Sequence, residues 1–236
     1  MLNTAIDMHS HFKPSMVYVA SDEITLVFPR ADVPKGADPL SVILFGGRTM
    51  KIVSVFAGYC SARFNFHIAR EEWDSAAERE ACLAVHSASA HFDARVFNVP
   101  SDKEAAENIH WRMLDAEKNS RMMLAQHYFR PEDIHRVTAT ASTKMLQQQR
   151  GVDWEATWTP QKYGAFIKSK KVYVQSRNPK TGEAVQAERH RPQPRCFPWP
   201  DYRDPAQYRA LLYAHCWDDL GDDGEAMELL RGFEQW

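Results

Sequence analysis

No stretch of this 236-residue chain approaches the roughly 18 consecutive apolar side chains of a membrane-spanning helix. Its first residues carry no charged segment followed by an apolar one, so no leader is expected and the cytoplasm is the expected location. Cysteine is scarce: Cys60, Cys82, Cys196 and Cys216 lie far apart with no Cys-x-x-Cys, which points away from a zinc knuckle or a redox pair and toward buried thiols. Glycine is sparse, and no complete phosphate-loop pattern is present. Internal repeats are absent. A surplus of one charge is missing too: the formal net charge is −2, whereas a phosphate-rich partner favours a basic surface. The charges are unevenly spread, however. Residues 161 to 195 hold nine Lys or Arg against two Glu, a local charge of +7, and residues 216 to 236 hold seven acids against one Arg, a local charge of −6. Such asymmetry fits a nucleic-acid face beside an acidic tail, and equally a solvated linker beside a solvated helix. With 44% apolar residues the chain can bury one sizeable core and still carry an appendage.

What is present begins with Ser21-Asp22-Glu23, two adjacent carboxylates at the bend between the apolar runs 17–20 and 24–28. β-Branched and aromatic residues of that length make short strands, and the small polar interruption makes a tight antiparallel hairpin. Hard oxygen ligands suit Mg²⁺, which takes one or two protein carboxylates together with substrate phosphates, so a nucleotide is the natural companion. A solvated turn reads the same way from the tripeptide alone.

The stretch 45–51 opens a segment in which Val53, Phe56, Ala57, Cys60 and Phe64 recur at helical spacing. Arg48 and Lys51 fall in its first turn, where cations oppose the helix dipole, and beside Gly46-Gly47 they fit a bound phosphate better than a stabilising role. Residues 92–100 alternate and stop at Pro100, the pattern of a strand. Ser101 and Glu104 then make a capping box, and Ile109, Met113, Ala116 and Met123 supply the buried stripe of a helix. Arg112, Asp115 and Asn119 share its polar face, placed to meet a nucleotide, RNA or one another.

Later, Pro131 suits a helix start and Gly151 a helix end. Residues 164–167 and 172–174 read as hairpin strands turned at Lys168 to Lys171. Six prolines between 179 and 205 make a semi-extended linker the expectation for residues 176–207. From Gln207 two short helices follow, broken near residues 221–224, with Leu211, Leu212 and Ala214 in the first and Met227, Leu229 and Leu230 in the second. The expected domains are thus 1–175, the linker 176–207 and an acidic tail 208–236. His9 and His11 point in different directions on a helix and read as surface histidines. The acids at 218–225 lack the spacing of a calcium loop, and Trp154 with Trp158 reads as core.

In order and spacing, Ser21-Asp22-Glu23 between two strands, Arg48 and Lys51 in the next helix, Phe92-Asp93-x-Arg95, the run Trp111-Arg112-x-x-Asp115-Ala116-x-x-Asn119-Ser120-x-x-x-x-Ala125-Gln126, and Gly151-x-Asp153-Trp154 resemble the tRNA-His guanylyltransferase family, especially its prokaryotic-type branch of 3′-to-5′ RNA polymerases. The resemblance covers about residues 1 to 175. It implies an α+β fold like the palm of polymerases, an antiparallel sheet with helices on one face. It further implies two Mg²⁺ ions, with Asp22 and Glu23 as metal-binding and catalytic carboxylates. Ser21, Arg48, Lys51 and Arg95 would then bind nucleotide, and Arg112, Asp115 and Asn119 would shape the nucleotide and tRNA surface. Lys168, Lys170 and Lys171 of the basic segment are expected to meet tRNA. ATP or GTP would activate the tRNA 5′-phosphate, and the 3′-hydroxyl of an incoming nucleotide would attack it, in a protein that typically assembles as a homotetramer.

Three departures accompany the resemblance. The family's arginine-x-aspartate-glycine strand, with the second shared metal ligand, has no counterpart here, since residues 1–13 look like the tail of the family's first helix. Glu117 stands where eukaryotic members place a histidine. Lys162-Tyr163-Gly164 stands where two basic residues precede the glycine. The competing expectations are an RNA-binding remnant of the family that has lost catalysis and a metal-dependent phosphohydrolase that needs no tRNA.

Overall fold

A computed structural model describes residues 1–31, 43–80, 90–157, 159–199 and 202–220 of the protein. Among them lies a four-stranded antiparallel sheet in the order β2-β1-β3-β4. β1 (Met16–Ala20) and β2 (Glu23–Val27) form the expected hairpin, with Ala20 opposite Glu23 and a two-residue turn at Ser21-Asp22. Ser21 takes a left-handed backbone conformation there, φ 52°, which a tight hairpin requires and which small polar residues tolerate.

Alternation along the strands sends Met16, Tyr18 and Phe166 to one face and Val17, Val19, Ala165 and Ile167 to the other. The first set packs with Ala106, Ile109 and Met113 of one helix and Leu211 and Leu212 of another; those helices are α3 (Asp102–Tyr128) and α6 (Pro205–Tyr213). Each such side chain removed from water contributes about 1.5–3 kcal/mol. The second face receives Ala5 of α1 (Leu2–Phe12), so α1 adds a cover opposite the helices that meet the palm expectation. α2 (Thr49–Ile68) lies against α1: Cys60 and Phe56 cluster with Met8 and Phe12, and Phe64 meets Phe92 edge-on at 5.3 Å.

Helix ends follow local chemistry. The Ser101 hydroxyl accepts from the Glu104 N–H at 3.3 Å, as the capping box requires. Gly151, at φ 65°, closes α4 (Ala139–Arg150). That helix starts at the Thr138 cap and not at Pro131, which sits in a preceding turn. In α3, Met123 is exposed, and Ala125 is buried in its place with Phe129, Ile134 and Leu146. The buried stripe shifts over this long helix because different partners cover its two halves.

Three expectations are corrected in the sheet. Residues 165–177 form one strand, β3 (Ala165–Arg177), with no turn at Lys168 to Lys171, a tetrad without glycine, proline or asparagine. The reversal comes at residues 178–183, where the Asn178 N–H donates to Glu183 O at 2.9 Å and Gly182 takes φ 75°. The anticipated linker instead contains β4 (Ala184–Arg195), paired with β3 along its whole length. Pro192 and Pro194 are tolerated because β4 is an edge strand. Residues 92–99 form no strand among the described residues, and the Phe92 N–H is instead taken by the Ser61 hydroxyl at 2.9 Å. Alternation makes a strand only where a neighbour supplies a ladder.

A short α5 (Thr159–Tyr163) leads into Gly164, whose φ is 72°. A Cβ there would stand 2.6 Å from Val19 O and 2.7 Å from the Tyr18 hydroxyl oxygen, so only glycine fits. The Tyr18 hydroxyl donates to Tyr163 O at 2.7 Å, locking the same junction. Cys60, Cys196 and Cys216 are buried free thiols. Trp158, Cys82, the acids beyond Leu220 and the second C-terminal helix with Met227, Leu229 and Leu230 lie outside the described residues. No helix of the described residues is long and apolar enough to cross a membrane.

Candidate functional site

The hairpin turn and the polar face of α3 meet. Glu23, first residue of β2, receives the Arg112 guanidinium at 3.0 Å. Arg112 also stacks on Trp111, 4.5 Å from the ring centroid. One turn further along α3, the Asn119 amide donates to Asp115 at 3.1 Å. Arg112, Asp115 and Asn119 thus engage as their spacing anticipates, and Arg112 carries that face to the acidic turn. Asp22, exposed at the turn, has no hydrogen-bond partner among the described residues.

Mg²⁺ accepts one or two carboxylates and fills its remaining positions with water and phosphate oxygens. Asp22 is a free hard ligand, whereas Glu23 is already neutralised by Arg112. The residues therefore fit one ion shared with a triphosphate. Among the described residues, the turn's two carboxylates leave a second ion with little to hold it.

Arg48 and Lys51 lie at the start of α2, and both contact Phe45. The Arg48 Nε–H donates to Phe45 O at 3.1 Å, and Lys51 Nζ lies 5.1 Å above the Phe45 centroid. Phe45, Gly46 and Gly47 all have positive φ, so the glycine pair serves a sharp backbone turn ahead of the helix. Phe45 packs against the same core cluster of Met8, Phe12 and Cys60 as Ile24 and Leu26 of β2, and both cations remain exposed. Arg95 pairs with Asp93 at 3.2 Å on the surface and with neither group.

The basic strand departs from expectation. Lys168 is fully buried, and its ammonium donates to Ser15 O at 3.0 Å and Ala214 O at 2.6 Å. It cannot reach tRNA. Burial pulls its pKa down to about 7, and the nearby Cys216 and Asp219 only partly oppose this. Lys171 is paired with Asp219, whose hydrogen bond holds the amine above its ordinary pKa, and the Lys171 N–H donates to Asp218 at 2.7 Å. Lys170 is partly buried and also engaged. The Lys-rich run that reads as a phosphate-binding strip is therefore largely spent on holding the C-terminal segment against β3. Alternation puts Lys168 on the same face of β3 as Phe166, the face covered by Leu211 and Leu212 of α6.

His9, expected at the surface, is buried with both ring nitrogens unpartnered among the described residues, and burial lowers its pKa to about 4. His11 is exposed and stacks on Tyr59 at 4.4 Å. Trp154 is core, as expected, but carries cations on its ring: Arg121 lies 4.1 Å and Lys162 5.1 Å from its centroid. The Trp154 indole donates to the Ser120 hydroxyl at 3.1 Å, and Glu117 pairs with Arg121 at 2.5 Å. Glu117, Ser120, Arg121 and Trp154 thus form one polar junction between α3 and the turn before α5, while Asp153 caps that turn by accepting from the Glu155 N–H at 2.9 Å.

Comparison with known proteins bears on this arrangement. Residues 1–100 match the model of the tRNAHis guanylyltransferase family (Thg1). An uncharacterized protein of Acanthamoeba polyphaga mimivirus is 28% identical over 174 residues, covering 71% of this chain and 60% of that protein. A bacterial tRNA(His) guanylyltransferase-like protein solved in complex with ATP superposes with a TM-score of 0.54 at 24% identity, over 70% of this chain and 65% of that one. The tRNA(His) guanylyltransferase of Saccharomyces cerevisiae gives 0.51 at 14% identity, over 70% of each chain. The two structures share the fold. The chain spans less than two thirds of the length of the viral and bacterial relatives.

Proposed function

We propose that this chain is a member of the tRNAHis guanylyltransferase family, whose model its residues 1–100 match, and a nucleotidyltransferase that binds ATP or GTP beside the Ser21–Glu23 turn and adds nucleotides to the 5′ end of tRNA. The observation that carries the reading is the Glu23–Arg112 ion pair, which joins the acidic turn to the face bearing Asp115 and Asn119.

In this reading Asp22 and the triphosphate hold Mg²⁺ between them, and Glu23 positions Arg112. The ion, when bound, supplies charge neutralisation to the attacked phosphoryl group. Arg48 and Lys51 exchange their contacts with Phe45 for phosphate oxygens, and Ser21 lies beside the same phosphates. In the first step a tRNA 5′-phosphate oxygen bonds to the α-phosphorus of the nucleoside triphosphate and pyrophosphate leaves. In the second, the 3′-hydroxyl oxygen of an incoming nucleotide bonds to the activated 5′-phosphorus, the nucleoside monophosphate leaves, and the hydroxyl proton passes to solvent. Guanidinium and ammonium groups offset the charge that spreads over each transferred group. The sequence pattern favours the prokaryotic-type branch, Arg95 contributes to the nucleotide side of the site, and the protein assembles as a homo-oligomer in the cytoplasm.

A second reading has its own support. Because Glu23 is already paired, Asp22 is the one free carboxylate at the turn, which suits an RNA-binding relative without catalysis. Labelled 5′-truncated tRNA incubated with nucleotides and Mg²⁺ separates the two. Wild type should extend the RNA, and Asp22→Ala should lower the rate by roughly 100-fold or more. Tight tRNA binding with no extension selects the second reading, and equal extension by both proteins overturns the site. Triphosphate hydrolysis that is indifferent to tRNA would identify a phosphohydrolase.

A further inference from the structure

We propose that His190, His215 and Cys216 form a site for a zinc-class divalent metal, apart from the Asp22 turn and formed where the C-terminal segment returns to the sheet. One ligand atom from each of the three residues lies within 4.8 Å of the others. The Cys216 sulfur stands 3.9 Å from His190 Nδ1, and the two imidazole centroids are 5.5 Å apart. With Zn–S near 2.3 Å and Zn–N near 2.0–2.1 Å, tetrahedral ligands sit roughly 3.3–3.7 Å from one another. The cluster therefore needs a closure of about 1 Å, and the exposed His215 ring can supply it by rotation.

The surroundings argue for a ligand set and against a chance gathering. His190 Nε2 lies 3.1 Å from Glu188 Oε1. A carboxylate at that nitrogen holds the proton on Nε2 and turns the Nδ1 lone pair toward the cysteine, the arrangement that orients metal-binding histidines. Glu188 is itself fixed by the Tyr173 hydroxyl at 3.0 Å. Cys216 is held by the backbone: its N–H donates to Asp219 at 3.1 Å, and it bridges to Ser169 of β3. Two imidazoles and a thiolate are borderline-soft donors, which suit Zn²⁺ and not Mg²⁺. Two of the three ligands are exposed, so the fourth position opens to solvent. The metal would pin the segment after α6 to β3 and β4, where Lys168, Lys171 and the Trp217 indole, which donates to Gln193 O at 2.8 Å, already make polar ties.

The test uses the full chain, stripped with a chelator and titrated with Co²⁺. One equivalent should produce tetrahedral d–d bands and a thiolate-to-cobalt charge-transfer band, both displaced by Zn²⁺. Cys216→Ser should abolish the charge-transfer band, while Cys60→Ser keeps it. His190→Ala and His215→Ala should each weaken Zn²⁺ binding at least about tenfold, and Glu188→Gln roughly 10- to 100-fold. His215 is exposed, so its variant should fold normally by circular dichroism and isolates the ligand effect. A wild-type chain without the charge-transfer band, a band that survives Cys216→Ser, or zinc affinity unchanged in both histidine variants overturns the proposal.

Discussion

The β1–β2 hairpin and the β3–β4 ribbon are built from the same antiparallel ladder, yet they use charge in opposite ways. At the hairpin turn Asp22 is left exposed and uncommitted, and Glu23 is engaged by Arg112 at the surface. In the ribbon Lys168 is sealed inside, and Lys171 is spent on Asp219. A charge held in water at a bend costs little to keep ready for a ligand, whereas a buried one needs hydrogen-bond acceptors, which the Ser15 and Ala214 carbonyls supply to Lys168. The same residue types serve availability in one place and attachment in the other.

The hardest blow to the attachment side is Gly164→Ala at the start of β3. A Cβ would face the Val19 carbonyl at a backbone conformation closed to alanine, so we expect a loss of roughly 2–4 kcal/mol in urea unfolding. A loss below about 0.5 kcal/mol would show that the junction yields.

Acid attacks the same interior. The folded pKa of His9, about 4, lies below its ordinary 6.5 because burial disfavours its charge and Lys13, Lys168 and His215 add repulsion. The unfolded chain therefore binds more protons between these values, so this contribution to stability is complete above pH 6.5 and is lost as pH falls toward 4. Unfolding free energy should drop by roughly 3 kcal/mol across that window, and His9→Leu should flatten the slope. An unchanged slope would remove His9 from the account.

The smallest stability effect is expected at the hairpin. A double-mutant cycle of Glu23→Ala and Arg112→Ala should give a coupling under about 1 kcal/mol, as for a partly exposed pair. The same variants should slow nucleotide addition about tenfold or more. A large stability coupling with unaltered addition would make this pair structural and erase the contrast with the ribbon.

Legibility followed how local each signal was. The hairpin, the Ser101 cap and the Gly151 stop are written within a few residues of where they act, and each was readable. The face shared by Arg112, Asp115 and Asn119 followed from helical spacing, but its meeting with Glu23, 89 residues earlier, is a tertiary contact that no local pattern announces. β4 was hidden by its prolines, which forbid a central strand but not an edge. Residues 92–99 misled in the opposite direction, since alternation says nothing about whether a ladder partner is present. Lys168 looked like a surface charge because sequence alone does not reveal that α6 and the residues after it close over that part of β3. The grouping of His190 with Cys216 arises only from tertiary return, so cysteine spacing carried no trace of it.

Lys168 also carries a chemical consequence. Burial lowers the pKa of this amine and so favours its neutral, nucleophilic form relative to an ordinary lysine, yet no solvent touches it. An acylating reagent would mark this position only in the instants when the sheet breathes, so the labelling rate at Lys168 is a clock for the opening of the core.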